Sequence, residues 1–253
     1  MWLAIKALWR RDVRRFVGQR SRVAGSLATP VVFWALLGAG LGRSFSAADP
    51  ALTGGYLQFF FPGTLAMIVL FSAIFSTISV IEDRQQGFMQ GVLVAPVPRA
   101  AIVAGKLLGG ATIALTQAVL FLLLAPVAGI PLDPWRALQA VGVAALLAVA
   151  LTGLGFLIAW WLDSTQGFHA IMNLLLVPMW LLSGAVFPPS GAAPWVRGVM
   201  AANPMTYGVA ALQTVLLGRT DGPSLGVSLM VTALFCVAML VAGVVLVDRR
   251  RLG

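Results

Sequence analysis

Seven long stretches of this chain contain no charged residue, and they restrict its fold more than any other feature. They cover residues 23–42, 50–81, 107–132, 137–162, 164–196, 198–218 and 222–247. About 20 apolar residues suffice for a helix to cross the hydrocarbon core of a bilayer. Only 10% of the residues are charged and 60% are hydrophobic, whereas a soluble domain carries about 25% charged residues. The chain is therefore predicted to be an all-α integral membrane protein.

The number of membrane spans depends on residues 188–218, which are rich in helix-breaking residues. Asn203-Pro204 interrupts this segment, and its only cleanly apolar part, 209–217, is too short to cross. We therefore predict a re-entrant helical hairpin on the outer side and six spans. The predicted spans are residues 24–42, 59–81, 107–128, 138–162, 168–187 and 225–247. Pro178 predicts a kink in the fifth span.

The distribution of basic residues supports six spans over seven. With six, thirteen of the 17 Lys and Arg residues lie on the inner side, together with both termini. With seven, only eleven lie inside and the cluster Arg249–Arg251 faces out. The positive-inside rule favours the first arrangement. The excess of Lys and Arg on the inner side also accounts for the net charge of +9. A nucleic-acid partner is therefore not expected. Residues 1–253 are predicted to form a single transmembrane domain.

Residues 82–106 form a polar island between the second and third spans. The segment begins with Glu82-Asp83-Arg84, has an apolar patch at 92–94, and is broken by Pro96 and Pro98. This order is typical of a short amphipathic helix at a membrane surface followed by a proline turn. The island is predicted to be the part of the chain that a partner binds.

The N-terminal segment, residues 1–22, is predicted to form a basic amphipathic helix. Its apolar and basic side chains fall on different faces, which suits the surface of an anionic membrane. The residues predicted to contact the membrane interface are Trp2, Trp9, Arg10, Arg14 and Phe16. An alternative role, an arm that contacts a partner protein, remains open.

Several polar residues lie within the predicted spans and are candidates to line a translocation path. They are Ser72, Ser76, Ser79, Thr112, Thr116 and Asn173. Such hydroxyl groups more often bond to their own backbone or to a neighbouring helix. Gly105 and Gly109 have the spacing that allows two helices to approach closely.

The sequence has no recognisable catalytic or metal-binding pattern. No group of His, Cys or acidic residues has metal-ligand spacing, and the single histidine, His169, is interpreted as an interface residue. Lys106 lacks the surrounding residues of a phosphate-binding loop, because Leu107 stands where Ser or Thr would hold magnesium. The chain is therefore not expected to be an enzyme, and transport would need energy from a partner.

Two stretches resemble the type-2 ABC transporter permeases, the class that includes daunorubicin-resistance-like and nodulation-factor exporters. The first runs from Ile81 through Pro96 and Arg99 to Gly105-Lys106, with an acid, a glycine, an apolar pair, a proline and a base in the family's order. The second combines Phe187-Pro188, Pro194-Trp195 and 203–207. The order of helices also agrees, so the resemblance covers nearly the whole chain.

The resemblance implies a coupling helix between spans 2 and 3 that sits in a groove on an ABC ATPase. The residues implied to make this contact are Glu82, Asp83, Arg84, Gln85, Gly87, Phe88, Val92, Leu93, Pro96 and Arg99. Phe88, Val92 and Leu93 would form an apolar knob, and the charged residues would form its rim.

The resemblance further implies two ATPase subunits, a second, identical permease chain, and a location in the bacterial inner membrane. ATP and magnesium would bind to the partner and no cofactor to this chain. The expected activity is ATP-driven export of an amphiphilic or hydrophobic substrate such as a drug, lipid or glycolipid. Two alternatives remain, a partner-independent channel or secondary carrier and a membrane anchor for another complex; a membrane enzyme acting on lipids lacks the residues it would need.

Overall fold

The computed structural model describes residues 1–18, 20–46, 55–94, 96–219 and 221–249, and within these ranges it contains helices and no strand. The α-helices are α1 (Trp2–Gly18), α2 (Arg20–Ser46), α3 (Gly55–Ser76), α4 (Ile78–Gln85), α5 (Phe88–Val94), α6 (Arg99–Leu122), α7 (Pro134–Trp161), α8 (Thr165–Trp180), α9 (Pro194–Ala202), α10 (Pro204–Leu217) and α11 (Leu225–Arg249). Two short 3₁₀ segments, Ala125–Ala128 and Pro189–Gly191, and a π-helical segment, Leu181–Ala185, complete them. The all-α prediction is confirmed.

Within the described ranges, five helical segments are long and apolar enough to cross a membrane. They are Gly55–Gln85, Arg99–Leu122, Pro134–Trp161, Thr165–Ala185 and Leu225–Asp248. Within α2 a shorter apolar stretch, Leu27–Gly40, lies where the first span is predicted. Of the basic cluster predicted at the C-terminus, residues 250 and 251 lie outside the described residues.

Helix α3 is the centre of the fold. It packs against α2, α6, α7 and α10, and nearly every residue from Tyr56 to Leu70 is buried. A helix that is apolar on all sides is typical of a membrane span or of a protein core, and the neighbours of α3 enclose most of its surface. Phe61 stacks on Phe121 of α6 with ring centroids 4.6 Å apart, which joins the two spans near the end remote from the polar island.

The ends of the second and third spans differ from the prediction. Helix α4 follows α3 almost directly and continues to Gln85, four residues beyond the predicted end at 81. Helix α6 begins at Arg99, eight residues before the predicted start, and ends at Leu122. The prediction ended each span at a charge, but these charges are paired within the fold, so the helices continue through them.

The polar island is therefore not one surface helix. Residues 82–85 end α4, residues 88–94 form the separate short helix α5, and residues 99–106 begin α6. Gly87, with φ of +73°, makes the turn between α4 and α5. An L-residue with a side chain rarely adopts this conformation.

The segment predicted as an outer hairpin forms two helices, α9 and α10, that meet at Asn203. The Asn203 side chain accepts a hydrogen bond from the Met205 amide (3.0 Å) and donates to the Met179 and Leu182 carbonyls (2.6 and 3.1 Å). The two bonds that Asn203 donates hold the hairpin against the end of α8. There the chain leaves regular helical geometry at Leu182 and Gly184, just beyond Pro178.

Candidate functional site

Charged side chains from three helices meet at one end of the helix bundle, and we call this group the charged junction. Its members are Arg11, Asp12 and Arg15 of α1, Glu82 and Asp83 of α4, and Lys106 of α6. In the described part of the chain, the ion pairs between α1, α4 and α6 are concentrated in this group.

Asp83 is the centre of the charged junction and is fully buried. Its carboxylate accepts two hydrogen bonds from the Arg11 guanidinium, at 2.5 and 2.8 Å. It also accepts one from Lys106 Nζ at 2.5 Å and one from Arg15 at 3.3 Å. Bidentate and charge-assisted bonds of this kind are among the strongest in proteins. Asp83 therefore holds α1 and α6 to the end of α4.

Lys106 and Asp12 form the second half of the junction. Lys106 Nζ lies 3.0 and 3.1 Å from the two Asp12 carboxylate oxygens, and both side chains are buried. Burial raises the pKa of Asp12, although the Lys106 charge opposes this shift. The hydrogen bond to Asp83 raises the pKa of Arg11. At the edge of the group Glu82 pairs with Arg15 at 2.9 Å.

The glycine pair of α6 allows α1 to come close enough for these contacts. A Cβ atom at Gly105 would lie 2.9 Å from Leu8 Cβ, and one at Gly109 would lie 3.2 Å from Asp12 Cβ. One turn farther along, Trp9 Nε1 donates to Thr112 Oγ1 at 3.0 Å. The Gly105/Gly109 spacing thus serves the close helix approach that the sequence suggested.

Helix α5 is attached to the charged junction through Phe88. The Arg11 guanidinium lies over the Phe88 ring, 3.7 Å from its centroid, so the same arginine contacts both Asp83 and the short helix. Met89 is buried, whereas Val94 is 87% exposed. The predicted knob residues Phe88 and Val92 are half-buried against the core, and the Leu93 side chain lies outside the described part of the structure.

Two further island residues bind the turn between α7 and α8. Arg84 donates to the Trp160 carbonyl at 2.6 Å, to the Leu162 carbonyl, and to the Asp163 carboxylate at 2.9 Å. Gln85 donates to the Asp163 carbonyl at 2.8 Å. Cations stabilise a helix C-terminus because carbonyl groups there lack partners. The resemblance implied that Asp83 and Arg84 lie at the rim of a partner contact. In the structure, their side chains bind to other parts of this chain.

The other island residues are more accessible. Gly87 and Pro96 are exposed, and Arg99 is half-exposed at the first turn of α6. Together with α5 they form the part of the island that a partner can reach. The assignment of the island residues to an ATPase contact stays a prediction.

Four of the six polar residues predicted to line a path donate hydrogen bonds within the helical bundle. Ser72 donates to Gln117 Oε1 of α6 at 2.5 Å, and Ser76 donates to the Ala73 carbonyl. Thr112 and Thr116 bond to carbonyl groups one turn earlier, while Asn173 is exposed on α8. Ser76 and Ser79 line a cavity of about 30 Å³ beside the junction, which has room for water. The path role of these residues stays a prediction.

A much larger apolar groove of about 460 Å³ lies between α2, α3 and α8. It is lined by Gly25, Thr29, Pro30, Phe33, Met67, Phe71, Phe75, Val177 and Trp180. The groove was not found from the sequence, because an apolar groove wall has the same composition as a lipid-facing or buried helix surface.

Some of the predicted interface residues of α1 are exposed, and others pack against the rest of the fold. Trp2, Arg10 and Arg14 are exposed, whereas Phe16 is half-buried and the Trp9 indole donates its N–H group to α6. Trp9 thus has a partner within the fold. Elsewhere in the described ranges, no group of three or more His, Cys, Asp or Glu side chains has metal-binding geometry.

The helices and the charged junction describe a polytopic membrane protein whose N-terminal helix, island and spans are joined at one end. Comparison with known families defines it further. Residues 3–217 match the model of the ABC-2 type transporter family, and the chain belongs to that family.

Individual relatives cover most of the chain. Nodulation protein J of Sinorhizobium fredii is 29% identical over all of this chain and 94% of its own length. Nodulation protein J of Rhizobium leguminosarum is 29% identical over 86% of this chain and 83% of its own. The inner membrane transport permease YadH of Escherichia coli is 27% identical over 88% of this chain and 86% of its own. The chain is thus similar to transport permeases over most of its length.

Proposed function

We propose that this chain is the transmembrane subunit of an ATP-driven exporter and that separate ABC ATPase subunits supply the energy. The single observation that carries the proposal is the set of contacts made by four consecutive residues, Glu82 to Gln85. Glu82 and Asp83 bind α1, Asp83 also binds α6, and Arg84 and Gln85 bind the α7–α8 turn. A force on this short segment reaches four helices at once.

Helix α5 is the proposed coupling helix that receives this force. It is joined to α4 by the Gly87 turn and to α6 by the segment containing Pro96 and Pro98. Its exposed end presents Val94, an apolar residue without covering side chains. A partner that docks on α5 could bias the arrangement of the helices that these contacts connect. The Arg11–Phe88 contact makes α1 part of the same connection.

The proposed substrate is amphiphilic or hydrophobic, such as a drug, lipid or glycolipid. The apolar groove between α2, α3 and α8 supports this class, because its walls are almost entirely hydrocarbon and aromatic. A long, fully polar chain would find few hydrogen-bond partners there. Phe33, Phe71 and Trp180 provide the aromatic faces against which an acyl chain or ring packs.

The complete exporter would contain two ATPase subunits, with ATP and magnesium bound to them, and a second, identical permease chain. The single domain formed by residues 1–253 would lie in the bacterial inner membrane with both termini in the cytoplasm and the α9–α10 hairpin re-entering from the outer side. The catalytic step, ATP hydrolysis, would belong to the partner.

A pull-down from native membranes in mild detergent tests this function. The tagged chain should co-purify with an ATPase, and the eluate should hydrolyse ATP. The decisive variant is Val94→Asp, because this side chain is 87% exposed and its replacement should therefore leave the fold intact. Phe88→Asp additionally replaces the ring beneath Arg11. Both variants should lose the ATPase.

The matched control is Trp195→Asp, which places the same charge on an exposed residue of α9 and should keep the ATPase. If wild-type chain elutes alone, without hydrolysis, the exporter proposal is wrong. Flux of solute in vesicles containing only this chain would then support a channel or secondary carrier, and absence of flux would support an anchor.

A further inference from the structure

Two polar side chains of α8, His169 and Asn173, are exposed within the candidate span Thr165–Ala185. In the part of the chain that the structure describes, neither side chain has a hydrogen-bond partner. Asn173 lies about 12 Å along α8 from its first residue, a depth at which a bilayer supplies little water. An amide left unpaired in hydrocarbon is strongly unfavourable. Its presence here therefore indicates a polar neighbour that another molecule supplies.

Two contacts fix the register between α8 and α3. The rings of His169 and Phe75 lie with their centroids 5.2 Å apart, and Trp180 Nε1 donates to the Gly63 carbonyl at 2.9 Å. The two helices run antiparallel between these contacts, because a step forward along α8 matches a nearly equal step back along α3. Both Phe75 and Trp180 line the apolar groove, so this face of α8 borders the groove along its length.

Helical spacing places Asn173 on the same face. His169, Asn173 and Val177 follow one another at four-residue intervals and therefore share one side of α8. Val177 lines the groove, and the register sets Asn173 opposite Phe71, which also lines it. The edge of the groove formed by α8 is thus apolar at Val177 and polar toward His169, the end nearer the charged junction.

The chemistry of this polar edge favours an uncharged partner. Among the described residues that line the groove, none is charged, so a charged head would lie there without an opposite charge. The Asn173 amide both donates and accepts hydrogen bonds, and a neutral imidazole does the same. Hydroxyl and amide groups match both capacities. Aromatic rings also attract cations, so a cationic head is the competing occupant.

We infer that His169 and Asn173 form a head-group subsite at the junction-side end of the groove. It would select an amphiphile whose uncharged head carries hydroxyl or amide groups and whose apolar chain lies along Phe71 and Trp180. This subsite rests on the proposed function, because it takes the groove as the place where the substrate binds. It narrows the proposed substrates to one chemical class and gives the two unpaired side chains their partners.

Photolabelling of the purified full chain in phosphatidylcholine nanodiscs tests the subsite. Three probes share a dodecyl chain that ends in a diazirine, and they carry a glucoside, a carboxylate or a trimethylammonium head; a fourth probe is the chain alone. Mass spectrometry of peptides from α2, α3 and α8 gives the concentration for half-maximal labelling. The wild type should bind the glucoside most tightly.

Replacing both polar side chains, His169→Leu with Asn173→Leu, should weaken glucoside labelling about tenfold. Labelling by the chain alone should not change, which shows that the groove is intact. The variant His169→Gln with Asn173→Gln keeps hydrogen-bonding groups at both positions and should keep the preference for the glucoside.

The matched control moves the amide without removing it. Asn173→Leu with Leu174→Asn shifts the amide about 100° around α8, to a position where Leu174 is 79% exposed. This variant should lose as much glucoside labelling as Asn173→Leu alone. Restored labelling would show that any amide in this region suffices and would overturn the subsite.

Three further results would also overturn it: equal labelling by the three heads, tighter binding of a charged head, or an unchanged preference in the double leucine variant. If Asn173→Cys in a Cys236→Ala background cross-links two copies, and the glucoside does not protect it, the amide faces a second copy instead. Each of these results leaves co-purification of the ATPase untouched. A chain that elutes without an ATPase but prefers the glucoside would keep the subsite and refute the exporter.

Discussion

Asp83 has more charged partners than any other acid in the described part of the chain, and its environment decides its role. Arg11, Arg15 and Lys106 all contact its carboxylate, which has no exposure to solvent. A buried ion group is not in itself a large source of stability, but removing one partner leaves the others buried and uncompensated.

We therefore expect Asp83→Asn to lower the free energy of unfolding by about 3–5 kcal/mol, measured by denaturant titration in detergent. The matched change Asp12→Asn should cost clearly less. Burial raises the pKa of Asp12, so its charge is costly in the folded state, and Asp83 still neutralises Lys106 in that variant. Equal losses from the two substitutions would contradict the central role of Asp83.

The sequence indicated which residues at the junction carry charge but not which of them pair. Asp83 and Lys106 were visible in the polar island, while Arg11 lies 72 positions before Asp83. A contact over that distance depends on where α1 docks, which no local pattern encodes. Phe88 was predicted to contact an ATPase, which stays a prediction, and its contact with Arg11 became visible only in three dimensions.

At the scale of helices, close packing of α1 on α6 is the feature on which the junction depends. The Gly105/Gly109 spacing was readable from the sequence, but its partner was not, because any helix of the bundle fits such a groove. The end of α4 and the start of α6 were predicted wrongly for a related reason. Side chains of α1 form ion pairs with the charged residues at which the prediction ended each span.

We expect Gly105→Leu to displace α1 from α6, because a Cβ atom there already lies 2.9 Å from Leu8 Cβ. Hydrogen exchange should show loss of protection throughout α1, while α7 and α11 remain protected. Gly142→Leu is the control, since a Cβ atom at that helical position meets nothing within 4 Å. Retained protection of α1 in the Gly105 variant would show that the glycine is not needed for docking.

In the molecule as a whole, the connections on one side of the bundle meet at the charged junction. Arg84 joins the α4–α5 region to Asp163 in the α7–α8 turn. A Cβ atom at Gly243, near the end of α11, would lie 3.2 Å from Val103 near the start of α6. The end of α11 therefore lies on the same side as α1, as the distribution of basic residues suggested.

The predicted six crossings would bring the chain back to the side on which α1 lies. Helix α2 must connect the α1 side to the start of α3, and the Trp34 indole donates to the Leu57 carbonyl there at 3.0 Å. Helices α9 and α10 together return to the side from which they began, because α8 ends and α11 begins on the side opposite the junction. Both features agree with the prediction of six crossings, which itself stays a prediction.

Cysteine labelling in intact cells tests the six crossings directly. In a Cys236→Ala background, which removes the chain's single cysteine, Gly222→Cys in the α10–α11 connection should react with an impermeant reagent added outside. Gln86→Cys in the turn before α5, and Gly253→Cys at the C-terminus, should react only after the membrane is opened. Outside labelling of Gly253→Cys would mean an odd number of crossings. Such a result would place the C-terminus on the side opposite the island and would contradict the six-span prediction.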